Sequence, residues 1–229
     1  MNDKHSNNIV LHGWMTFRSP LQKGDLGPHV VCEVETHDLG ERYQCVAVGG
    51  AAMDFIRAGR RRDKLVTLRG RLRSPAHRST VSFVDVDQAE AFRFTERPST
   101  GRDNPLVRLV GVVRKAARGE NYFGDEQLEL TVETRTFKGA RLACDHHQVE
   151  YFLLPSDLEH GPLPELDDIV EITGGLVRRY SEDSRGRSVP RNAISAATCQ
   201  LVNRRSSFRG AGADQRCSIV AFPPSPSSL

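Results

Sequence analysis

The sequence predicts an all-β protein, organised as two tandem five-stranded β-barrels with a short helix. Short stretches rich in β-branched residues recur along the chain and are separated by Gly, Pro and Asp, which is typical of many short strands. The two halves of the chain also resemble each other in sequence. With 229 residues, the chain has room for two small domains. A repeat of about 100 residues suits a duplicated domain and is too long for a solenoid unit.

The clearest strands are expected in both halves of the chain. They are residues 30–35, 43–48, 65–72, 128–133 and 169–172. One helix is expected in the first half, because Ala51, Ala52, Phe55 and Ile56 recur at helical spacing and share one face. Gly59 follows them, and glycine is the residue that most often ends a helix.

Two pairs of segments show the repeat. Residues 63–70 (DKLVTLRG) match residues 167–174 (DDIVEITG) at a separation of 104 positions. Nearer the start of each half, residues 10–13 (VLHG) match residues 108–111 (RLVG) at a separation of 98 positions. The second half therefore contains six extra residues between these points. We expect them in residues 117–124, a stretch rich in Gly and charged residues.

Composition predicts the domain boundaries. We expect the first barrel in residues 1–97, a linker in residues 98–105, the second barrel in residues 106–203 and a disordered tail in residues 204–229. The linker is polar and contains prolines, and the tail is rich in Arg, Ser, Gly and Pro. The formal net charge is +3 up to residue 103, −3 for the second barrel and +3 for the tail. A polyanion would therefore be attracted mainly to the first half and the tail.

The predicted order of elements is that of the oligonucleotide-binding (OB) fold. This fold is a partly open five-stranded barrel. Each half has room for five strands, with a helix or turn between the third and the fourth. Gly13 and Gly70 lie inside predicted strands, where a glycine often marks a tight bend. We therefore expect two OB folds in tandem.

Four segments of the first half resemble the bacterial single-stranded DNA-binding protein (SSB) family. They are residues 8–13 (NIVLHG), 42–50 (RYQCVAVGG), 51–56 (AAMDFI) and 64–72 (KLVTLRGRL). The second half is similar mainly over residues 106–112 and 165–177. The primosomal replication proteins are a nearby alternative. The resemblance implies binding of single strands, and since this family commonly joins four OB folds, it also implies a homodimer of this chain.

Two groups of basic residues in the first half are candidates for phosphate contacts. The densest group flanks the predicted helix and consists of Arg57, Arg60, Arg61, Arg62 and Lys64. In the second group, Arg69, Arg71 and Arg73 alternate along one predicted strand, so they share a face at a spacing of roughly 6–7 Å, close to that of successive phosphates. The alternative interpretation of both groups is an ordinary solvated surface.

Aromatic residues are candidates for base stacking, because single strands are held by basic grooves and flat side chains. The resemblance implies this role for Tyr43. Trp14 is either a stacking platform or, as is common for a first-strand tryptophan, part of the core. Tyr122 and Phe123 lie in a predicted loop, where a core does not explain them. Near the end of the chain, basic residues recur after the fourth strand at Arg178 and Arg179, which belong either to the binding surface or to a soluble hairpin.

Signals for other functions are weak. The sequence contains no GxxxxGK[ST], GxSxG or HExxH motif, so we expect no enzymatic activity and no cofactor. Residues 144–147 (CDHH) would alternate between the two faces of a strand and would not converge on one metal ion. The chain has no apolar run of the roughly 20 residues that a membrane helix needs and has a polar N-terminus, so we expect a cytoplasmic protein.

The leading functional hypothesis is non-enzymatic binding of single-stranded DNA in replication, recombination or maintenance of a mobile element. Binding of RNA stays open. The first barrel is expected to carry most of the binding, because it contains Tyr43 and both arginine groups. An OB-fold adaptor that binds proteins in a replication or secretion assembly is the main alternative. An OB-type nuclease is a third, and it would cleave strands only with a divalent metal.

Overall fold

The computed structural model describes residues 6–24, 27–36, 41–58, 65–74, 83–92, 106–121, 123–138, 141–160, 162–182 and 186–204. The first unit contains β1 (Ser6–Arg18), β2 (Gln22–Gly24), β3 (Gly27–Glu35), β4 (Arg42–Val48), α1 (Gly50–Ala58), β5 (Leu65–Arg73) and β6 (Phe83–Phe92). The second unit contains β7 (Leu106–Glu120), β8 (Glu126–Lys138), β9 (Arg141–Phe152), α2 (Pro155–His160), β10 (Ile169–Glu182) and β11 (Ser188–Asn203).

The strands of the first unit pair in a ring. β1 pairs with β3 and β5, β3 pairs with β4, and β5 pairs with β6, all in antiparallel orientation. A parallel pairing of β4 with β6 completes the ring over residues 45–47 and 84–86 only, which agrees with a partly open barrel. The short strand β2 pairs antiparallel with the beginning of β3. Ala52 and Phe55 of α1 are fully buried in the core, as their spacing along the helix predicts.

The second unit repeats this order. β7 pairs with β8 and β10, β8 pairs with β9, and β10 pairs with β11, again antiparallel. β9 and β11 are parallel and join residues 148–151 to residues 193–196. The helix lies between the third and the fourth barrel strand in both units. The prediction of an all-β protein with OB-type order in each half is therefore confirmed.

Equivalent glycines mark the repeat. Gly13 in β1 corresponds to Gly111 in β7, and Gly70 in β5 corresponds to Gly174 in β10. A Cβ atom at any of the four would overlap the backbone of a neighbouring strand, so only glycine permits this close approach. The sequence separations of 98 and 104 positions therefore correspond to real structural equivalence.

The six extra residues of the second unit lie in its β8–β9 hairpin. In the first barrel Val34 pairs with Tyr43, nine positions away, whereas the equivalent Val132 pairs with His147, fifteen positions away. The prediction that residues 117–124 contain the insertion is wrong. A longer regular hairpin adds residues without a loop signal, since its strands keep their alternating pattern.

The two barrels are joined by their first strands. β1 and β7 pair antiparallel, residues 6–10 with residues 106–110, so that the described strands form one continuous sheet. This pairing relates the barrels by an approximate twofold axis, and their buried apolar side chains form a single cluster. Neither helix in the described part of the chain is long or apolar enough to span a membrane.

Candidate nucleic-acid interface

Several predicted site residues lie outside the part of the chain that the structure describes. They are Arg60, Arg61, Arg62, Lys64 and Tyr122. Arg57 belongs to α1, but its side chain is also outside the description. Their assignment to nucleic-acid binding stays a prediction.

Tyr43 lies at the contact between the two barrels. Its side chain is 1% exposed, and its hydroxyl donates to the main-chain oxygen of Leu176 at 2.9 Å and to the carboxylate of Glu41. Burial, reinforced by the hydrogen bond to Glu41, raises the pKa of this hydroxyl far above its ordinary value. A base cannot stack on a ring in this position, so the stacking role predicted for Tyr43 does not fit the structure.

The other side of the same contact uses different residues. His147 occupies the place of Tyr43 in the second barrel and is equally buried. Its Nε2 lies 2.9 Å from Thr134 Oγ1 and 3.4 Å from Asn7 Nδ2. Asn7 in turn bonds both the main-chain oxygen and the main-chain nitrogen of Leu72, at 2.7 and 3.0 Å. The barrels are therefore joined by a buried polar network as well as by strand pairing.

The three alternating arginines of β5 have different surroundings. Arg73 is buried, and its Nε lies 3.2 Å from the carboxylate of Asp145 in the second barrel. Arg71 pairs with Asp87 at 3.6 Å, whereas Arg69 is exposed. The prediction that all three form a row of phosphate contacts is wrong for Arg73. Alternation predicts a shared strand face, but it does not show that the second barrel covers one end of that face.

Trp14 is half-buried and lies on the outer side of the first barrel. Its neighbours Gly13 and Met15 point into the barrel, as alternation along a strand requires. Trp14 pairs in register with Glu35 of β3 and with Leu65 of β5. It is therefore not part of the barrel core, and its role as a stacking platform stays a prediction.

Acidification is expected to weaken the barrel contact through His147. Burial, with the positive charges of His146 and Arg73, lowers the pKa of His147 from 6.5 to about 3. Above pH 6.5 this histidine is neutral in both states and has no effect. As the pH falls below 6.5 the unfolded chain binds a proton that the folded chain excludes, so the free energy of unfolding falls by up to about 1.4 kcal/mol per pH unit.

Chemical unfolding at pH values between 6.5 and 5 measures this effect. His147→Gln, which keeps a hydrogen-bonding side chain, is the matched variant and should show a shallower pH dependence. An equal slope in both proteins would contradict the assignment. Below pH 4.5 a second loss begins at Glu133. Burial raises the pKa of this carboxyl, but hydrogen bonds from Arg114 and Arg135 outweigh that effect and hold it at about 2.

The outer face of the second and third OB strands carries carboxylates in both barrels. OB folds bind oligonucleotides on this face and on the loops beside it. In the first barrel, Arg42 is paired with Glu35 at 2.8 Å. In the second barrel, Glu129 lies directly opposite Glu150, and Arg179 binds Glu150 at 2.7 Å. Neither face alone offers phosphates a cluster of unpaired cations among the described residues.

Positive charge is concentrated instead at the end of the β10–β11 hairpin, residues 178–191, which we call the basic hairpin. This segment connects the fourth and fifth OB strands, one of the loops with which OB folds bind oligonucleotides. It contains five arginines and two carboxylates, a net charge of +3. The described arginines are Arg178, Arg179, Arg187 and Arg191.

Tyr180 is the aromatic residue of the basic hairpin, and its side chain is 69% exposed. It lies opposite Pro190, beside the facing pair Arg179 and Arg191. The sequence interpretation named Arg178 and Arg179 but missed this tyrosine. The available signal was an aromatic residue directly after two arginines on a predicted strand.

Phe123 is the most exposed large apolar side chain of the described residues, at 84%. It lies at the end of the β7–β8 hairpin, residues 118–129, which we call the acidic hairpin. Asn121 orders this turn, because its Oδ1 accepts hydrogen bonds from the main-chain nitrogens of Phe123 and Asp125 at 2.8 and 2.9 Å. The hairpin contains one arginine and four carboxylates, a net charge of −3, so Phe123 is presented among like charges that repel phosphate.

Solved structures of known proteins share this architecture. The wild-type single-stranded DNA-binding protein of Thermus aquaticus is similar over 90% of this chain and 98% of its own, with a TM-score of 0.63 and 16% identity. A deletion variant of that protein gives the same TM-score and coverage at 15% identity. The Plasmodium falciparum SSB in complex with single-stranded DNA matches 45% of this chain, with a TM-score of 0.36 and 18% identity. No protein-family model and no curated protein matches the chain.

Proposed function

We propose that this protein binds single-stranded nucleic acid without cleaving or modifying it, and that the basic hairpin makes the main contact with the strand. The observation that carries the proposal is Tyr180, an exposed ring on an OB loop of the binding type whose described residues include four arginines. Arginines contact phosphates and a ring stacks on a base, which are the two elements of single-strand recognition. The name of the Thermus aquaticus protein with the same fold supports the proposal.

The basic hairpin also continues the binding surface onto the first barrel. Arg178 Nη1 donates to the main-chain oxygen of Arg42 at 2.8 Å, and the main-chain nitrogen of Arg178 donates to Glu41 at 3.3 Å. These bonds hold the hairpin against the end of the β3–β4 turn. A strand stacked on Tyr180 would therefore reach Arg42 next, whose guanidinium is exposed but paired with Glu35. On this proposal the second barrel has the larger share of binding, the reverse of the division expected from the sequence.

Titration of fluorescently labelled dT oligomers tests the proposal. We expect binding at low salt and a logarithmic dependence of affinity on salt with a slope of about −1.4, at about 0.7 per phosphate for Arg187 and Arg191, because Arg178 and Arg179 already bind groups of the protein. The same oligomer should stay intact with magnesium or calcium present, and its cleavage would contradict the non-enzymatic assignment. Absence of binding at low salt would overturn the proposal and favour the adaptor alternative.

We also propose that the chain is a homodimer in solution. Two OB folds per chain give four in a dimer, the number that the family resemblance implies. Mass measurement at high salt, where contacts between exposed charges are screened, should give a dimer of the 25.5 kDa chain. A monomer at all concentrations under these conditions would contradict this assembly.

A further inference from the structure

The second barrel carries two exposed hairpins that complement each other. The acidic hairpin has a net charge of −3 and presents Phe123, whereas the basic hairpin has a net charge of +3 and presents Tyr180. Each therefore combines an exposed ring with charge of a single predominant sign. An aromatic side chain surrounded by carboxylates offers the same chemistry as a base flanked by phosphates. The basic hairpin, which we propose to bind such a strand, can also bind the acidic hairpin.

The carboxylates of the acidic hairpin lie close together and repel one another. Glu120 and Glu126 lie directly opposite each other at the base of the turn, and both are exposed. Like charges directly opposite on two strands are destabilising. Asp125 bonds Asn121 within the same turn, at 3.0 Å. The arrangement presents negative charge around a fixed turn with Phe123 at its end, and a cationic partner would relieve the repulsion.

The two hairpins leave the barrel at opposite ends. The acidic hairpin contains Glu120, the last residue of β7, whereas Gly175 of β10 pairs with Leu106, the first residue of β7. The basic hairpin begins beyond that pair. The whole of β7 lies between these two ends, and a straight strand of this length would span about 45 Å, at about 3.3 Å per residue. This placement at opposite ends of β7 favours a head-to-tail contact between two copies over a contact within one chain.

We propose that the acidic hairpin of one copy docks on the basic hairpin of a second copy. Phe123 then packs against Tyr180, and Glu120 and Glu126 face Arg187 and Arg191. The contact is heterologous, so it can extend from copy to copy in a row. It is small and screened by salt, which makes it weak and reversible. A single strand would compete with the acidic hairpin for the basic hairpin, an expectation that rests on the proposed function.

Complementary charge reversal tests the contact in the full-length protein. One variant carries Glu120→Lys with Glu126→Lys, which leaves like charges opposite each other in the turn. The other carries Arg187→Glu with Arg191→Glu. In sedimentation at low salt, the mean mass of the wild-type assembly is expected to increase with protein concentration and to exceed its mass at high salt. We call this increase growth of mass. Each variant alone should lose this growth, with an association constant at least about tenfold lower.

Mixing the two variants is the decisive measurement. The variant with Arg187→Glu and Arg191→Glu keeps a native acidic hairpin, and the variant with Glu120→Lys and Glu126→Lys keeps a native basic hairpin, so these two can dock. The reversed hairpin of each variant also complements the reversed hairpin of the other. Growth of mass should return in the equimolar mixture, which a loss of folding in either variant could not produce. Wild-type growth in each variant alone, or no growth in the mixture, would overturn the docking proposal.

Competition by a single strand is measured separately with a dT oligomer. Addition of the oligomer to wild type should reverse the growth of mass at low salt, and the variant with a reversed acidic hairpin should still bind the oligomer. If the wild type binds no oligomer while the mixture of variants still grows, the docking contact stands and the proposed function fails. If the wild type binds the oligomer but its growth is unchanged, the shared use of the basic hairpin is wrong.

Discussion

Replacing Arg73 with alanine is expected to lower the free energy of unfolding by about 3–5 kcal/mol. The carboxylate of Asp145 is fully buried, and the guanidinium of Arg73 supplies a positive charge 3.2 Å away. Removing the arginine leaves a buried carboxylate without this charge, and such a charge costs far more than a surface pair contributes. Because the pair joins the two barrels, the loss should affect their contact first.

Urea unfolding of the full chain measures this effect, with the shift in midpoint as the readout. Arg69→Ala is the matched control, because Arg69 lies on the same strand but is exposed. We expect this control to change stability by no more than about 0.5 kcal/mol. Equal midpoints for the two variants would show that the cross-barrel ion pair contributes little. Asp145 also accepts a hydrogen bond from the main-chain nitrogen of Ser74 at 3.0 Å, so part of its stabilisation should persist in Arg73→Ala.

The barrels themselves could be predicted because their signals are local. Alternation of apolar residues, glycine within strands and a short apolar helix face all act between neighbours in sequence or on adjacent strands. Gly70 and Gly174 illustrate this, since the same backbone overlap requires glycine in both repeats. The position of the six extra residues was missed because the long β8–β9 hairpin keeps a regular strand pattern and shows no loop composition.

The candidate site could be predicted only in part, because the contact between the barrels is not visible in local patterns. Tyr43 and Arg73 have the residue types of a binding surface, yet both are buried and both contact the second barrel. Their partners, Leu176 and Asp145, are 133 and 72 positions away in the chain. Phe123 was identified because a loop does not bury an aromatic side chain, and the same reasoning at the end of β10 would have identified Tyr180.

Tyr180→Ala should weaken binding of a dT oligomer by about 1–3 kcal/mol, or roughly five- to 150-fold, by loss of one stacked base. The salt dependence of binding should stay nearly unchanged, because stacking releases no counterions. Tyr180→Phe keeps the ring and should bind almost as the wild type does. Arg187→Ala with Arg191→Ala should instead flatten the salt slope by about 1.4, at about 0.7 per lost phosphate contact.

The comparison of these variants separates stacking from attraction by charge. Tyr180 is 69% exposed, so its replacement should leave the urea midpoint unchanged and any loss of affinity reports on binding alone. Tyr43→Ala is the opposite case, since it removes a buried ring and a hydrogen bond to Leu176 and should lower stability first. If Tyr180→Ala binds the oligomer as tightly as Tyr180→Phe, no base stacks on this ring, and the basic hairpin attracts strands by charge alone.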